Sequence, residues 1–444
     1  MSETLDRASA PKPETPDAAS AGGAGGAEVA SAEAAGLEAS PPRTTAPGAG
    51  TGQVVLKPRK AQPFFGRHPW VLDSAIARVE GAPADGDVVD LVSEKQRFIA
   101  RGVYNSQSRL RVRLYSWNVG ELLDVDFWRR RLKTAIQWRD QLGYNHPQGG
   151  ARLVFSEADH LSGLIVDRYG EYLTVQPTGR AMYERLDMLI PLLAELLRPK
   201  GIMLRGERGM TKAEGIEFAD HIVWGDLPRG PIFIEENGLR FGVDLAEGQK
   251  TGFYLDQREN RRAAAGYVRG RKLLDLFCYS GGFSIAAAKL GHAGEIIAVD
   301  SSEKALALAK ANADLNGVTN LHLLAADGFA ALDQFAGENR KFGAIVLDPP
   351  KFARSRGSLD EALRAYHRIN RRAFDLLEPG GILVTCSCSG HVSREDFLMM
   401  LVGVAQKTGR ELQILEQRGA APDHPISATC LESEYLKCYI CRVV

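Results

Sequence analysis

Three short segments carry residue types that could do chemistry: DLFCYSGGFS at 275–284, LDPPKF at 347–352 and TCSCSG at 385–390. They supply carboxylates, a pair of glycines, a diproline turn and three thiols within about 115 residues. Each segment follows an apolar run that predicts a buried β-strand. Because the carboxyl ends of strands in an open parallel sheet form the crevice where ligands bind, we expect the three segments to converge on one site.

The first segment indicates a cofactor that contains a nucleoside. Gly281 and Gly282 lie between a predicted strand and a predicted helix, where a missing Cβ lets the backbone approach a ligand. Asp275 precedes them near the strand end, Asp300 ends the next strand 25 residues later, and Asp327 closes the strand after that. A carboxylate in the position of Asp300 can accept both ribose hydroxyls, and Asp327 could reach an adenine ring.

The segment lacks the GxGxxG turn that binds the pyrophosphate of a dinucleotide. The three carboxylates therefore favour S-adenosylmethionine as the cofactor. The sulfur of S-adenosylmethionine is cationic and the molecule has no phosphates. We expect Tyr279, Ser280 and Phe283, in the same turn as the two glycines, to line the cofactor site. The alternative is that Asp275 and Asp327 serve only as helix or turn caps, which is common for aspartate.

The second segment places Asp348 at the end of a predicted strand, before two prolines that fix the backbone. Carbonyl groups in such a turn could hold a flat base with polar edges, so we expect Asp348 to contact the cofactor and to take part in catalysis. Alone, this turn would favour methylation of an exocyclic nitrogen, for which an aromatic residue follows the prolines. Here Lys351 stands in that position and Phe352 comes one residue later.

The third segment adds a thiol, which nitrogen methylation does not need. Carbon 5 of a pyrimidine is a poor nucleophile, so an enzyme first adds a thiolate to carbon 6, and carbon 5 can then attack a sulfonium methyl group. A base removes the carbon 5 proton and the thiol leaves. A thiol with a pKa near 8.5 is only about 3% ionised at pH 7, so we expect Lys351 or nearby N–H groups to lower that pKa.

Cys388 is the favoured nucleophile. Alternation along the strand places Cys386 and Cys388 on the same side, but Cys388 lies beyond the strand, next to Ser389 and Gly390, where exposure is easier. Cys386 as the nucleophile, or a structural role for both, are the alternatives. No cysteine and histidine spacing indicates zinc, so we expect no metal. The remaining cysteines are predicted to pack in the core: Cys278, Cys430, Cys438 and Cys441.

Alternating strands and helices from about residue 271 to 407 predict a doubly wound parallel sheet, the α/β arrangement that would position these segments. In that series we expect two consecutive strands, 320–325 and 342–348. Before it, Asn237-Gly238 predicts a hairpin turn. Further upstream, short strands between 86 and 117 predict a small β-barrel, and a helix follows from about 126 to 141.

The chain is accordingly divided into a tail, a barrel, a helical linker, a small α+β domain of strand, strand, helix, strand, strand, and a catalytic domain. Their limits are 1–52, 53–125, 126–150, 151–232 and 233–444. The tail has almost no large apolar side chains, which predicts disorder, and it lacks a signal peptide pattern, which favours a cytoplasmic protein. No apolar run approaches the roughly 18 residues of a membrane span.

The formal net charge of zero hides an asymmetry along the chain. Residues 1–50 carry a net charge of −4, residues 51–140 a net charge of +6, and the remainder a net charge of −2. A basic module beside a near-neutral body fits a polyanionic partner such as RNA, because lysine and arginine neutralise phosphates and release counterions. An ordinary solvated face is the alternative.

Over residues 54–444 the chain resembles the large-subunit (23S) ribosomal RNA cytosine-C5 methyltransferases that have an N-terminal PUA domain. The segments that carry the resemblance are RHPWV (67–71), ARGVYN (100–105), KTGFYLDQREN (250–260), CYSGGF (278–283), VDSS (299–302), DPPKF (348–352), CSCSG (386–390), DHPI (423–426) and YLK (435–437).

The resemblance implies a PUA barrel, a central α+β domain, a Rossmann-like catalytic domain, S-adenosylmethionine as cofactor and ribosomal RNA as partner. Cys388 matches the nucleophile position. Tyr254, Gln257 and Arg258 are implied to close the cofactor or substrate pocket, although Arg258 could instead form an ion pair at the edge of the core. The tail and the extra thiol of Cys386 depart from the family pattern.

The leading hypothesis is methylation of carbon 5 of a cytidine in ribosomal RNA. Methylation of a base nitrogen, which needs Asp348 but no thiol, is the second. An RNA-binding assembly factor that no longer turns over is the third, and a NAD-dependent oxidoreductase is the least favoured. A homodimer through the small domains is also expected.

Overall fold

The computed structural model describes residues 50, 52–206, 208–245, 252–352 and 356–444. The predicted tail therefore falls almost entirely outside the described residues. Within the described part, no helix is both long enough and apolar enough to cross a membrane.

The first module is a mixed six-stranded sheet with strand order β2-β6-β5-β4-β1-β3. The pair β1 and β4 is parallel and the other pairs are antiparallel. Its apolar side chains, among them Val54, Val71 and Leu91, form a core of their own. Its elements are β1 (Gly52–Leu56), α1 (Gln62–Phe65), β2 (Trp70–Leu72), β3 (Ile76–Glu80), β4 (Val88–Val92), β5 (Phe98–Tyr104) and β6 (Leu110–Ser116).

The predicted connecting helix is present as α2 (Val125–Gln141). It begins at Asp124, whose side chain accepts the backbone N–H of Phe127 at 2.8 Å and so satisfies one free donor of the first turn. Phe127, Trp128 and Leu132 are buried in one cluster with the side chains of the central domain. The helix is thus a connector with one buried face, as its sequence predicts.

The central domain holds a five-stranded sheet with strand order β11-β10-β9-β8-β7. The sequence predicts two strands before the helices of this domain, but there are three, because a turn at Gly170, where φ is 60°, divides the second into the antiparallel pair β8 and β9. The prediction was wrong because the apolar alternation continues through the turn. The elements are β7 (Gly150–Phe155), β8 (Leu164–Tyr169), β9 (Tyr172–Pro177), α3 (Arg180–Tyr183), α4 (Leu186–Leu197), β10 (Gly201–Leu204), α5 (Arg208–Glu214) and β11 (His221–Gly225).

The catalytic domain begins with the predicted hairpin, in which Asn237 and Gly238 both have positive φ, 52° and 76°. Its elements are β12 (Ile232–Glu236), β13 (Leu239–Val243), α6 (Arg258–Ala265), β14 (Leu273–Leu276), α7 (Gly282–Lys289), β15 (Ile296–Asp300), α8 (Glu303–Leu315), β16 (Leu321–Ala325), α9 (Gly328–Gly337), β17 (Phe342–Leu347), α10 (Leu359–Leu376), β18 (Leu377–Ser387), α11 (Arg394–Thr408), β19 (Leu412–Arg418) and β20 (Lys437–Val443).

Seven strands form the main sheet in the order β16-β15-β14-β17-β18-β20-β19. The first five are parallel, as predicted, whereas β20 is antiparallel to both of its neighbours. The two strands predicted at 320–325 and 342–348 are present as β16 and β17, but the helix α9 lies between them, so the prediction that they follow one another directly was wrong. Glycines at both ends of α9 lower its helix propensity, and Asp327 starts it by capping two backbone N–H groups.

Helices cover both faces of this sheet. Leu274, Leu276 and Leu347 pack on one face against α9, α10 and α11. Leu273 and Val346 pack on the other face against α6 and α7. Because both faces are covered, the parallel strands are apolar at nearly every position, and ligands can reach the sheet only at the strand ends.

Asp423 ties the central and catalytic domains together. Its buried carboxylate accepts the backbone N–H of Arg152 at 3.0 Å, and its carbonyl oxygen accepts from Arg139 at 2.6 Å. His424 Nδ1 lies 2.9 Å from the carboxylate and Arg258 Nη1 lies 3.9 Å from it. Burial opposes the charge of Asp423, but His424 and Arg258 outweigh it and lower the pKa of Asp423 to about 2. The described residues from Gly50 onward accordingly belong to one compact unit.

Replacing Asp423 with alanine should lower the free energy of unfolding by about 3 kcal/mol, since it leaves buried cations without their anion. Urea unfolding of the two proteins at pH 7 measures this. Asp314→Ala is the matched control, because Asp314 is exposed and pairs with the exposed Lys310. Equal stability of Asp423→Ala and Asp314→Ala would contradict the role of Asp423.

The same carboxylate predicts a pH dependence. Its pKa is about 2 in the folded protein against 3.8 ordinarily, so its contribution is complete above pH 4 and is lost as the pH falls toward 2. The stability difference between the wild-type protein and Asp423→Ala should therefore narrow over that interval.

Candidate active site

Asp275 lies at the end of β14 and is fully buried. Its Oδ2 accepts the backbone N–H of Ser284 at 3.0 Å and the Ser284 hydroxyl at 2.6 Å. Its Oδ1 has no hydrogen-bond partner among the described residues. Burial, together with the charge of Asp348, raises the pKa of Asp275 to about 7. A buried acceptor without a donor is costly, so this site fits a ligand that brings a donor, such as the ammonium group of S-adenosylmethionine.

The turn between β14 and α7 has a backbone that most residues cannot adopt. Phe277, Tyr279 and Gly281 have φ values of 63°, 46° and 78°. A Cβ on Gly281 would lie 3.2 Å from the Cβ of Ala309, and one on Gly282 would lie 2.9 Å from the side chain of Arg261. Strained backbone of this kind is retained where a ligand needs it. The two glycines predicted from the sequence are therefore required by conformation and by close approach.

Asp300 ends β15 and holds the same turn. Its Oδ2 accepts the backbone N–H of Tyr279 at 3.0 Å, and its Oδ1 accepts the N–H of Ser302 at 2.9 Å. Each carboxylate oxygen has a second lone pair, so ribose hydroxyls can still bind there. Asp327 caps α9 through hydrogen bonds to Phe329 and Ala330, at 2.9 and 3.1 Å. The capping alternative thus describes Asp327, and its contact with an adenine stays a prediction.

Two residues of the cofactor turn serve its packing. The carbonyl of Ser280 accepts from the Asn312 side chain at 3.1 Å. The ring of Phe283 is buried in the cluster that covers the face of β14. Both therefore hold the turn in place, and their direct contact with a cofactor stays a prediction.

Tyr254 connects the cofactor turn with the reactive segments. Its ring packs edge-on against Tyr279, with 5.2 Å between the centroids, and the Tyr279 hydroxyl donates to Gly252 O at 3.3 Å. Burial raises the pKa of Tyr254, and the charges of Asp348 and Cys388 raise it further. Tyr254 therefore lies near both the cofactor turn and the predicted nucleophile.

Arg258 and Gln257 occupy a different environment. Arg258 donates to Gly150 O, stacks 4.1 Å from the ring centroid of Tyr144 and faces Glu236 at 3.7 Å. These contacts agree with the ion-pair alternative for Arg258. Gln257 accepts from Asn260 at 2.6 Å and shares a hydrogen bond with Cys386. A role of Gln257 and Arg258 in closing the pocket stays a prediction.

Cys388 follows the end of β18 and is half-buried, whereas the other five cysteines, all within the described residues, are buried. Its sulfur lies 3.9 Å from the carbonyl oxygen of Pro349, in the diproline turn. Cys388 and Asp348 both act on the pKa of Tyr366, which burial raises to about 12. The second and third sequence segments therefore meet, as predicted.

Cys386 is unsuited to nucleophilic attack. It is fully buried and lies opposite Cys438 in the pairing of β18 with β20. Its hydrogen bond with Cys438, and then burial, raise the pKa of Cys386 well above the ordinary value. Burial also raises the pKa of Cys278, and it raises the pKa values of Cys430 and Cys441 to about 12. Accessibility therefore favours Cys388, and the raised pKa of Cys386 disfavours the alternative.

The lysine next to the thiol differs from the one expected. Lys351 is exposed and forms no hydrogen bond or ion pair with another described residue. Lys437 is buried and donates to the carbonyls of Ser389 and Tyr435 at 2.6 and 2.9 Å. The sequence contains a signal for it, since a lysine that opens the apolar run LKCYIC must be either paired or functional.

His68, Cys430 and Glu432 bring three possible metal ligands together. His68 Nδ1 accepts the backbone N–H of Trp70 at 3.2 Å, and Nε2 faces Glu432 at 3.4 Å. A neutral imidazole that accepts at Nδ1 carries its proton on Nε2, so that nitrogen has no lone pair for a metal. We therefore assign no metal to this group.

The fold and the site define a class of enzyme. Residues 224–432 match a family model described as S-adenosylmethionine-dependent methyltransferase, and residues 54–117 match a PUA-like domain. A solved structure from Streptococcus mutans, described as a SAM-dependent methyltransferase, superposes with a TM-score of 0.76 at 19% identity and covers 88% of this chain and 99% of its own. The predicted fold class and S-adenosylmethionine cofactor are confirmed.

Curated relatives identify the family. The ribosomal RNA large subunit methyltransferase I of Aeromonas hydrophila is 40% identical over 395 residues, which cover 88% of this chain and 99% of the relative. The protein of the same name from Erwinia tasmaniensis is 38% identical, covering 89% and 100%. The chain belongs to the ribosomal RNA large subunit methyltransferase I family.

Replacing Gly281 with alanine should weaken S-adenosylmethionine binding about tenfold or more, because an L-residue in this left-handed conformation costs about 1–2 kcal/mol and shifts the turn. Isothermal titration calorimetry measures the dissociation constant. Gly317→Ala is the control, since Gly317 also has positive φ, 60°, but a Cβ there meets nothing within 4 Å. Equal affinities of the two variants would contradict the assignment of the cofactor turn.

Proposed function

We propose that this protein transfers a methyl group from S-adenosylmethionine to carbon 5 of a cytidine in large-subunit ribosomal RNA. The observation that carries the proposal is the position of Cys388, the one cysteine of six that is not buried, at the tip of a strand and beside the diproline turn. The relatives' name, ribosomal RNA large subunit methyltransferase I, supports the RNA substrate.

Cys388 is assigned the covalent step. Its thiolate adds to carbon 6 of the cytosine, and the electron pair released toward carbon 5 attacks the methyl carbon. S-adenosylmethionine would supply that methyl group from its sulfonium, and the bonding electron pair would stay on the sulfur, which leaves as a neutral thioether. Loss of the carbon 5 proton to a base then expels the thiolate and restores the aromatic ring, so the enzyme returns to its starting state.

Asp348 and the cofactor residues are assigned positioning roles. We propose that Asp348 orients the cytosine through its exocyclic amino group, because the strand that carries it ends beside the strand that carries Cys388. Asp275, Asp300 and the glycine turn would hold the cofactor, the first toward its ammonium group and the second toward its ribose. The cluster of carboxylates suits a cationic cofactor.

The domain limits expected from the sequence are kept as part of the proposal. Residues 53–125 and 151–232 would dock the RNA, with 126–150 as the linker and 233–444 as the catalytic domain. The net charge of +6 over residues 51–140 supports the first of these roles. A cytoplasmic location fits an enzyme that acts on ribosomal RNA, and a homodimer through the small domains stays a prediction.

The reaction can be tested with purified protein, ribosomal RNA and S-adenosylmethionine labelled in its methyl group. Digestion of the RNA and mass spectrometry should identify labelled 5-methylcytidine. Cys388→Ala should give no detectable label while its cofactor affinity stays unchanged, since the thiol is needed for addition to carbon 6 and not for cofactor binding.

Cys386→Ala is the matched control, because it removes a thiol two residues away that is buried in the sheet. This variant should retain turnover. A labelled purine, or label that survives in Cys388→Ala, would reject carbon 5 methylation and favour methylation of a base nitrogen. Failure of the wild-type protein to bind S-adenosylmethionine would favour an assembly factor without turnover.

A further inference from the structure

Lys437 is a buried cation beside the predicted nucleophile. It is the first residue of β20, lies opposite Ser387 of β18, and exposes 1% of its surface. Taking an ammonium group out of water costs several kcal/mol unless an anion or several acceptors compensate for it. A lysine in this position therefore needs a physical reason.

Neutral carbonyl groups supply only part of that compensation. Lys437 Nζ donates to Ser389 O at 2.6 Å and to Tyr435 O at 2.9 Å. An ammonium group has three N–H donors, so two are engaged. No carboxylate of the described residues lies within 4.0 Å of Nζ. The charge of Lys437 is thus left without a counter-ion in direct contact.

The acidic groups around Lys437 are committed to other partners. Glu434, just before β20, pairs with Arg394 of α11 at 2.6 Å. Asp396, also on α11, accepts the backbone N–H and the hydroxyl of Ser393 at 3.0 and 2.7 Å. Cys388 can also become an anion, acts electrostatically on Lys437, and immediately precedes Ser389, which Lys437 contacts.

The groups that face Cys388 make a cation necessary. Tyr254 before α6, Tyr366 of α10 and Tyr435 before β20 all act electrostatically with this thiol. Asp348 acts on two of the same tyrosines, Tyr254 and Tyr366, and it immediately precedes Pro349, whose carbonyl oxygen lies 3.9 Å from the sulfur of Cys388. The three tyrosines are neutral near pH 7, whereas the negative charge of an ionised carboxylate at Asp348 opposes formation of a thiolate. Lys437 acts electrostatically with Cys388 and, as a cation, can offset the charge of Asp348.

We propose that Lys437 stabilises the thiolate of Cys388 and, through the carbonyl of Ser389, fixes the segment that carries the thiol. Lys437 is a positioning residue, since it acts through Cys388 and not on the substrate. The inference rests on the proposed function, in which that thiolate is the nucleophile.

The protonation of Lys437 agrees with this assignment. Burial lowers the pKa of Lys437 to about 8, and Cys388 is the largest opposing influence, raising it. Lys437 is therefore mostly charged at pH 7 and can support the thiolate there. A thiolate and an ammonium group that each favour the charged form of the other shift both pKa values in opposite directions.

The test is the rate of alkylation of Cys388 by iodoacetamide, measured against pH on the full chain without RNA or cofactor. Tandem mass spectrometry of the peptide that contains residue 388 assigns the label. The midpoint is the pH at which the alkylation rate reaches half of its maximum. In the wild-type protein it should fall below about 8.5, the ordinary pKa of a cysteine thiol. In Lys437→Met the midpoint should rise by about one pH unit or more, with roughly tenfold slower alkylation at pH 7.

Two further variants show whether the midpoint depends on a positive charge at residue 437 or on the net charge of the protein. Lys437→Arg keeps a cation and should keep a midpoint near that of the wild-type protein. Lys407→Met removes one exposed charge from α11 and should leave the midpoint unchanged. Thermal unfolding of each variant establishes that it is folded at the temperature of the alkylation measurement.

A folded Lys437→Met with the wild-type midpoint would overturn the proposal. A wild-type midpoint at or above about 8.5 would overturn it without any variant, so failure of a variant to fold does not protect it. Alkylation needs no RNA and no methyl transfer. If the midpoint shifts as expected while no 5-methylcytidine forms, the proposed function fails and the Lys437–Cys388 pairing stands. If 5-methylcytidine forms while the midpoint does not shift, the proposed function stands and the Lys437–Cys388 pairing fails.

Discussion

Hydrogen bonds between the parallel strands β14, β17 and β18 hold Leu276, Leu347 and Thr385 at one level of the sheet. Asp348 and Cys388, distant in sequence from the glycine turn, therefore leave the sheet at the same edge as Asp275. A slip of one residue in this register would turn each side chain of the slipped strand to the opposite face of the sheet and displace it by about 3.3 Å along the strand. The candidate site depends on this pairing.

The charges at that edge place opposing demands on the site. Asp275, Asp300 and Asp348 suit a cationic cofactor, and their proximity helps to raise the pKa of the buried Asp275 to about 7. The same negative charge disfavours a thiolate at Cys388. Lys437, the first residue of the antiparallel strand β20, places a cation at this edge of the sheet. Its charge offsets the negative charge that disfavours the thiolate. The returning strand therefore has an electrostatic role as well as a place in the sheet.

Several segments that carry the family resemblance lie at junctions between domains. In RHPWV, the Trp70 side chain donates to Glu157 of the central domain at 2.9 Å. In DHPI, Asp423 accepts a hydrogen bond from the central domain, and in YLK the ring of Tyr435 packs against the ring of Phe155 of the central domain, with 6.0 Å between the centroids. These residues couple the PUA-like and central domains to the catalytic sheet. Sequence motifs alone do not distinguish such coupling from direct contact with a ligand, as Arg258 illustrates.

The sequence by itself determined most of the alternation of strands and helices in the catalytic domain, the glycine turn and the hairpin at Asn237-Gly238, and it favoured Cys388 over Cys386, because these follow from local periodicity, turn chemistry and position at a strand end. Only the tertiary structure decided that β8 and β9 form a hairpin, that β20 returns antiparallel, and that Lys437 rather than Lys351 lies buried near the thiol. The reason is that burial and charge pairing depend on residues distant in the chain, which no local pattern specifies.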